Sequence, residues 1–395
     1  MILPKIKKSF KTIVGYGSDK GGTKVSRRPA NTSFRQQRLK AWNPILSPQN
    51  VLPLLILLAC ILAPIGIGLI ISVISVQDTI IEYTNCSSES TTTSFTQIPD
   101  KYIKYHFKQK LNMEPMWRSF VNTDSDETIC QLRFEIPNDV KTPINVYYKL
   151  TNFYQNHREY VDSIDIDQLK GEAIPYSDLD DKCDPFREYN GKTVYPCGLI
   201  ANSMFNDTFA SEFVGIDDTR NYKLTNNNTA WSTDKHRYKK TKYDINDIVP
   251  PVNWIKKFPN GYTEENLPDL NTWQEFQVWA RPAALPNFYK LILKNETVTL
   301  PTGNYTFDIG LNYPVDSFDG TKSFVLTTNT IVGARNITLG VVYLIVAGIS
   351  TLFAFIFLIK VLLSPKENSD HLYLRNAHLT GRNGTRPELP IREIL

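Results

Sequence analysis

Val51–Val76 reads VLPLLILLACILAPIGIGLIISVISV, 26 residues without a charge, and Leu339–Ile359 supplies another 21. A bilayer's hydrocarbon core is about 30 Å thick and takes roughly 20 apolar residues as helix, so each stretch is long enough to span it. A cleaved signal peptide is a poor reading of the first, which begins at residue 51 and far exceeds an apolar region of about 7–15 residues. Two spans around one long polar segment set the fold class and exclude a soluble cytosolic enzyme.

The spans themselves carry little chemistry. Pro64 lies mid-helix, where a missing donor and a ring clash predict a kink near Ala63–Gly68. Ala59, Ala63, Gly66 and Gly68 give a thin face that another helix can approach closely. Lys360, at the end of the second span, is the one charged residue near either core and can snorkel. A two-span transporter or channel is therefore disfavoured.

Charge divides the chain into compartments. Residues 1–50 hold eleven Lys/Arg and one acid, Asp19, whereas 77–338 hold 27 basic and 35 acidic residues. Basic segments resist translocation, which predicts cytosolic termini and a lumenal or extracellular segment between the spans. The expected organisation is a basic cytosolic tail and juxtamembrane segment (1–50), a first span (51–76), an ectodomain (77–338), a second span (339–363) and a cytosolic tail (364–395). Asn31 or Ser33 is placed to cap a short interfacial helix reaching Trp42. The net charge of +4 averages opposite signs and implies no nucleic-acid partner.

Sequons fit that orientation. Asn85, Asn206, Asn227, Asn295, Asn304 and Asn336 lie between the spans, and two more, at Asn31 and Asn383, lie in the tails. Asn206, Asn227, Asn295 and Asn304 are the expected N-glycosylation sites, since Asn85 and Asn336 crowd the membrane. Cys60 is inside the first span, and Cys86, Cys130, Cys183 and Cys197 all fall between the spans. Four Cys in an oxidising compartment read as two disulfides with three possible connectivities. Sequential pairing, Cys86–Cys130 and Cys183–Cys197, closes the shorter loops and is preferred. No C-x-x-C spacing or His pair argues for a metal.

The intervening segment is rich in Tyr, Phe, Thr, Asn and Pro. Gln131–Ile136, Asn145–Leu150, Phe276–Ala280, Tyr305–Leu311 and Ser323–Thr328 have alternating or β-favouring composition between turn signals such as Asn260-Gly261 and Asp319-Gly320. Tyr154–Leu169 has room for a helical turn or two. A β-rich ectodomain resembling an antiparallel sandwich follows.

Three enzyme-like signals have blander explanations. Asp19-Lys-Gly-Gly-Thr23 resembles an ATPase phosphorylation loop, but the tail that holds it is too short for the domains such a loop needs. Asp178, Asp180, Asp181 and Asp184 lack the ligand spacing of a calcium loop and read as a solvated turn. The remaining carboxylates show no catalytic pattern, since a glycosidase pair is defined by spatial separation. No catalytic residue, metal or cofactor is expected.

Longer blocks carry more information. Arg28–Leu46 (RPANTSFRQQRLKAWNPIL), Tyr148–Val161 (YKLTNFYQNHREYV), Pro196–Asp207 (PCGLIANSMFND), Trp279–Leu291 (WARPAALPNFYKL), Asn312–Val315 (NYPV) and Phe318–Lys322 (FDGTK) occur in this order. They resemble a fungal member of the cell-division-cycle-fifty/ligand-effect-modulator family, from about residue 27 to 363. One departure is Arg281-Pro282, where the family pattern has Arg-Thr.

The resemblance implies a non-catalytic subunit, in a heterodimer with a type-four P-type ATPase catalytic subunit that flips phospholipids. It further implies support for the pump's folding, exit from the endoplasmic reticulum and catalytic cycle, with residence from there to Golgi, endosome or plasma membrane. The family's two disulfides map onto Cys86–Cys130 and Cys183–Cys197. A cell-surface receptor or adhesion glycoprotein is the alternative from topology and sequons alone, and a membrane-anchored glycan-processing enzyme is a third.

Overall fold

The computed structural model describes residues 31–39, 48–123, 126–329, 333 and 335–363. Its packing separates two units, Met1–Leu55 with Ala354–Leu395, and Ile56–Phe353. In the first unit, residues 31–39 form turns rather than the expected capped helix. Thr32 Oγ1 accepts from the Arg35 amide at 3.2 Å, so the local cap is Thr32. The Asp19–Thr23 loop, residues 40–42 and Asn383 lie outside the described residues.

Pro48–Ile74 and Thr338–Leu363 are helices long and apolar enough to cross a membrane. Apolar side chains such as Leu54, Ile67, Ile71, Leu352 and Phe355 stand outward on them. Such a surface suits lipid or partner helices and not water. Pro64 sits within the uninterrupted helix Pro48–Ile74.

In the second unit, two antiparallel sheets stack. One has five strands in the order Phe288–Asn295, Ile144–Leu150, Lys322–Thr328, Asp78–Glu82 and Ile103–His106. The other runs Tyr222–Lys223, Glu212–Gly215, Gly303–Gly310, Glu127–Ile136, Met116–Asn122 and Thr96–Gln97, with Thr208–Phe209 pairing off that path. Alternation explains the layers. Along Glu127–Ile136, Cys130, Leu132, Phe134 and Ile136 are buried, and along Gly303–Gly310 so are Tyr305, Phe307 and Ile309. Phe324 of the five-stranded sheet meets Phe307 at 5.1 Å and Phe134 at 5.7 Å between ring centroids, which places an aromatic core between the layers. The sandwich is as expected.

One segment differs. Phe276–Ala280 is not a strand, because Gln274–Trp279 is a short helix. Phe276, Trp279 and Ala280 are buried at helical spacing. Its polar groups are held by loops: Gln277 Nε2 donates to Leu270 O at 2.7 Å, and Trp279 Nε1 to Ile200 O at 2.7 Å. Tertiary packing outweighs the β-favouring composition of Phe-Gln-Val-Trp. The helical turns expected within Tyr154–Leu169 are Arg158–Asp162 and Ile166–Leu169.

Candidate partner-binding scaffold

The two spans meet through glycine. A methyl built on Gly66 would lie 2.9 Å from Leu344 Cδ2 and 3.2 Å from Gly340 O, and one on Gly340 2.6 Å from Ile70 Cγ1. Backbones this close need residues without side chains. Gly68, which the sequence placed on the same thin face, has nothing within 4 Å, as has Gly348. Gly66 therefore serves the helix pair, while Gly68 lies on open surface.

In the β-rich domain, the sequence blocks that run from Tyr148 to Lys322 converge. Trp279 Nε1 donates to Ile200 O, and Tyr313 OH to Ser203 O at 3.1 Å. Tyr160 OH and Ser203 Oγ are 3.0 Å apart. The Phe153 amide donates to Pro286 O at 3.1 Å, the Ala283 amide to Gln155 Oε1 at 2.9 Å, and Asn156 Nδ2 to Ala284 O at 3.1 Å. The Phe153 ring touches those of Tyr160, Trp279, Phe288 and Phe318, with centroids 5.3–6.3 Å apart. The aromatic density of Tyr148–Val161 is thus mostly architecture. That stretch presents Tyr154 outward, 58% exposed, and the loop bonded to it presents Leu285, 67% exposed. Large apolar side chains fixed on a rigid base are the kind that a partner buries.

Asp207 locks the hub to the sheets. Its carboxylate accepts from Tyr83 OH at 2.9 Å, from the Asn312 and Tyr313 amides at 2.6 and 2.7 Å, and pairs with Lys322 Nζ at 2.8 Å. The side chains of Asp207 and Lys322 are 0% and 5% exposed. A buried charge pair is tolerable only when its remaining hydrogen-bonding capacity is met, as it is here. Burial, then the Asp207 charge, pushes the Tyr83 phenol well up, so it stays a donor. This carboxylate has no free face for proton transfer, which suits a structural role. Neither member was singled out from sequence, although Asp207 ends one quoted block and Lys322 another.

Lys290 is a second buried cation. Its Nζ donates to Val278 O at 3.0 Å, Trp279 O at 3.3 Å and Arg281 O, closing the C-terminal end of the Gln274–Trp279 helix. Burial, then the Arg281 charge, pushes its pKa down to about 7. Arg281 itself packs its guanidinium 4.4 Å from the Trp231 ring centroid and pairs with Asp234 at 3.1 Å.

Three of the four aspartates of the acidic cluster pair with nearby cations, and Asp178 accepts from Ser177 Oγ at 3.0 Å. Arg187 pairs with Asp181 at 2.7 Å and Asp184 at 3.2 Å, and Lys182 with Asp180 at 3.7 Å. Among the described residues, no three or more His, Cys, Asp or Glu are grouped to hold a metal ion. The disulfides join Cys86 to Cys130 and Cys183 to Cys197, with Cα–Cα distances of 6.0 and 5.6 Å. Cys60 is free and exposed on the first span.

Of the expected glycan sites, Asn227 is exposed, and Asn206, Asn295 and Asn304 are half-buried. Asn295 sits in an Asx turn, accepting from the Thr297 and Val298 amides at 3.0 and 2.9 Å. In the tail, Asn31 accepts from Arg38.

Comparison with known proteins agrees with this architecture. A model of the LEM3 (ligand-effect modulator 3) family / CDC50 family matches residues 69–367. The chain is 57% identical to the phospholipid-transporting ATPase accessory subunit CRF1 of Saccharomyces cerevisiae over 380 residues, 96% of this chain and 97% of that one. It is 42% identical to the accessory subunit LEM3 of the same yeast, covering 87% and 86% of the two chains. With cell cycle control protein 50A of Bos taurus it shares 35% identity over 86% of this chain and 90% of that one. The two-span, disulfide-bonded sandwich described above is an integral membrane protein and belongs to the LEM3/CDC50 family.

Proposed function

We propose that this chain is the accessory subunit of a phospholipid-transporting P-type ATPase of the type-four class, bound to it as a heterodimer. The observation that carries this reading is end-to-end alignment with a yeast accessory subunit, over 96% of this chain and 97% of that one at 57% identity. The same reading gives cytosolic termini, a lumenal or extracellular ectodomain bearing glycans at some of Asn206, Asn227, Asn295 and Asn304, and traffic from the endoplasmic reticulum to later membranes.

The subunit has no ATPase or lipid-moving activity of its own. Moving a phospholipid headgroup through a bilayer needs an energy source and a polar path, and the two spans carry no charge before Lys360. Its contribution is differential binding, favouring some conformations of a partner that holds both. The Gly66–Gly340 pair packs the two spans closely, and the Phe153–Trp279 hub ties the loops of the sandwich together.

Purification from native membranes in mild detergent tests the partnership. A stoichiometric companion with ATP-dependent phospholipid transport in liposomes is expected, with transport lost when this subunit is absent. Lipid transport by the isolated chain with ATP, or a native pump indifferent to its presence, would overturn the reading.

A further inference from the structure

The first span runs directly into the sandwich. Its helix ends at Ile74, and the Val76 amide still donates to Val73 O at 3.2 Å, so Gln77 is the first residue past the last helical turn. Gln77 is 6% exposed and gathers three segments of the chain. Its amide donates to Thr328 Oγ1 at 3.1 Å, and its carbonyl accepts from the Thr328 amide at 3.0 Å. Its side-chain Oε1 accepts from the Lys108 amide at 3.2 Å and from Asn138 Nδ2 at 2.9 Å. His106 Nδ1 lies 2.9 Å from Val76 O, and Arg335, just before the second helix, pairs with Asp78 at 3.8 Å.

These bonds set the height of two loops above the membrane. Three residues of extended chain, from Ile74 to Gln77, reach at most about 10 Å. The headgroup layer on each side of a bilayer is roughly 5–8 Å thick. Loops pinned to Gln77 therefore begin at headgroup level. Residues 107–115 and 137–143 carry Lys108, Lys110 and Lys141 there, all exposed and none in an ion pair among the described residues. The nearby carboxylates are mostly engaged: Glu135 accepts from the Asn112 and Met113 amides at 2.7 Å each, and Asp139 from the Thr302 amide at 2.9 Å. Glu114 alone is left free against three free ammonium groups. Free positive charge thus collects at the membrane end of a segment, 77–338, that is acidic as a whole.

We infer that this end of the sandwich is a docking surface for phospholipid phosphates of the adjoining leaflet, with Lys108, Lys110 and Lys141 as the contacting cations. A lysine ammonium is a compact charge on a flexible stem and needs no fixed geometry to meet a phosphodiester. Its attraction to an anionic lipid surface adds residue by residue and is screened by salt. Anionic headgroups are held in preference to zwitterionic ones, whose own cation competes for the phosphate. The lipids so held brace the sandwich against its membrane and are separate from any that a pump moves. This surface requires the two helices to span, and it stands whether or not the pump partnership holds.

The test uses the full-length chain, alone and in its native complex, in nanodiscs of phosphatidylcholine. These are doped with phosphatidic acid or phosphatidylcholine carrying the same photoreactive diazirine near the glycerol, and adducts are mapped by peptide mass spectrometry. Adducts are expected at residues 107–111 and 139–142, at least threefold more from phosphatidic acid, with a preference that falls as salt is added. Lys108→Gln, Lys110→Gln and Lys141→Gln together should abolish that preference, while Arg at the same three positions keeps it. Adducts around Lys360, at the opposite end of the second span, should be the same in all variants and report correct insertion. Bare loops, equal labelling by the two lipids, or a preference that survives the three Gln substitutions would overturn the inference. Adducts that form on the isolated chain and vanish in the complex would also overturn it, by assigning the three lysines to the protein partner.

Discussion

Gly66 and Gly340 oppose each other across the helix pair, each placing its carbonyl oxygen 3.2 Å from where a methyl on the other would stand. Their neighbours Leu344 and Ile70 close the rest of the space, at 2.9 and 2.6 Å from the same methyls. Gly348 lies two turns further along the second span and has nothing within 4 Å. One helix thus carries its own control. Gly340→Ile forces the spans apart at an overpacking cost of about 1–3 kcal/mol, whereas Gly348→Ile is expected to be neutral. Thermal unfolding of the two variants in detergent checks this, and equal midpoints would contradict the crossing.

The Asp207–Lys322 pair gives a second expectation. Asp207→Asn keeps the volume and keeps Asn206-x-Thr208 as a sequon, but leaves the Lys322 ammonium buried without its counter-charge. Breaking a buried pair from one side costs on the order of 3–5 kcal/mol. Replacing both partners, as in Asp207→Asn with Lys322→Met, removes the stranded charge and should recover part of that loss. Chemical denaturation of the three proteins decides the matter, and a double variant no more stable than Asp207→Asn would count against the pair.

Much of this was legible in sequence because it is local. Twenty-odd apolar residues fix a span, and Gln131–Ile136 or Ser323–Thr328 announce strands by composition. What was not legible depends on distant partners. The strand Asp78–Glu82 follows a span directly and is defined by pairing Asp78 with Thr327 and His106. The Phe276–Ala280 stretch has strand composition, and its helix is held by partners elsewhere in the chain, among them the carbonyls of Leu270 and Ile200 and the Lys290 side chain. Buried charge is the hardest to read, since Asp207 and Lys322 are 115 residues apart and neither looks unusual alone. At the candidate scaffold, the blocks that carried the family resemblance were visible, but not that Tyr148–Val161 spends most of its rings on internal packing.

The two disulfides are expected to differ in weight. Cys86–Cys130 spans 44 residues and belongs to the main core, whereas Cys183–Cys197 spans 14 and packs with Leu179 in a small satellite cluster. Loop entropy assigns roughly 4 kcal/mol to the longer closure and roughly 3 to the shorter. Cys86→Ser with Cys130→Ser should therefore destabilise more than the other double substitution, by about 1 kcal/mol. Unfolding midpoints of the two variants, with peptide mapping to exclude rearranged bridges, provide the comparison. A larger loss from the Cys183–Cys197 pair would reverse the ranking.

Lys290 makes stability depend on pH in a defined direction. Its ordinary value is 10.5, and burial followed by the Arg281 charge lowers it to about 7 in the folded chain. Below about pH 7 both folded and unfolded forms hold the proton, and this residue contributes a constant penalty for burying an ammonium. Between about 7 and 10.5 the unfolded chain still holds a proton that the folded chain has lost, so stability rises with pH through that window. Lys290→Met removes the proton difference and leaves the Val278, Trp279 and Arg281 carbonyls without their donor, a loss of about 1–3 kcal/mol offset in part by relief of the buried charge. The variant should therefore show a flatter rise between pH 7 and 9.5 than the parent, and the stability difference between them should shift toward the parent as pH increases. Parallel pH profiles of the two proteins would show that Lys290 keeps its proton in the fold and acts as a permanent cationic cap.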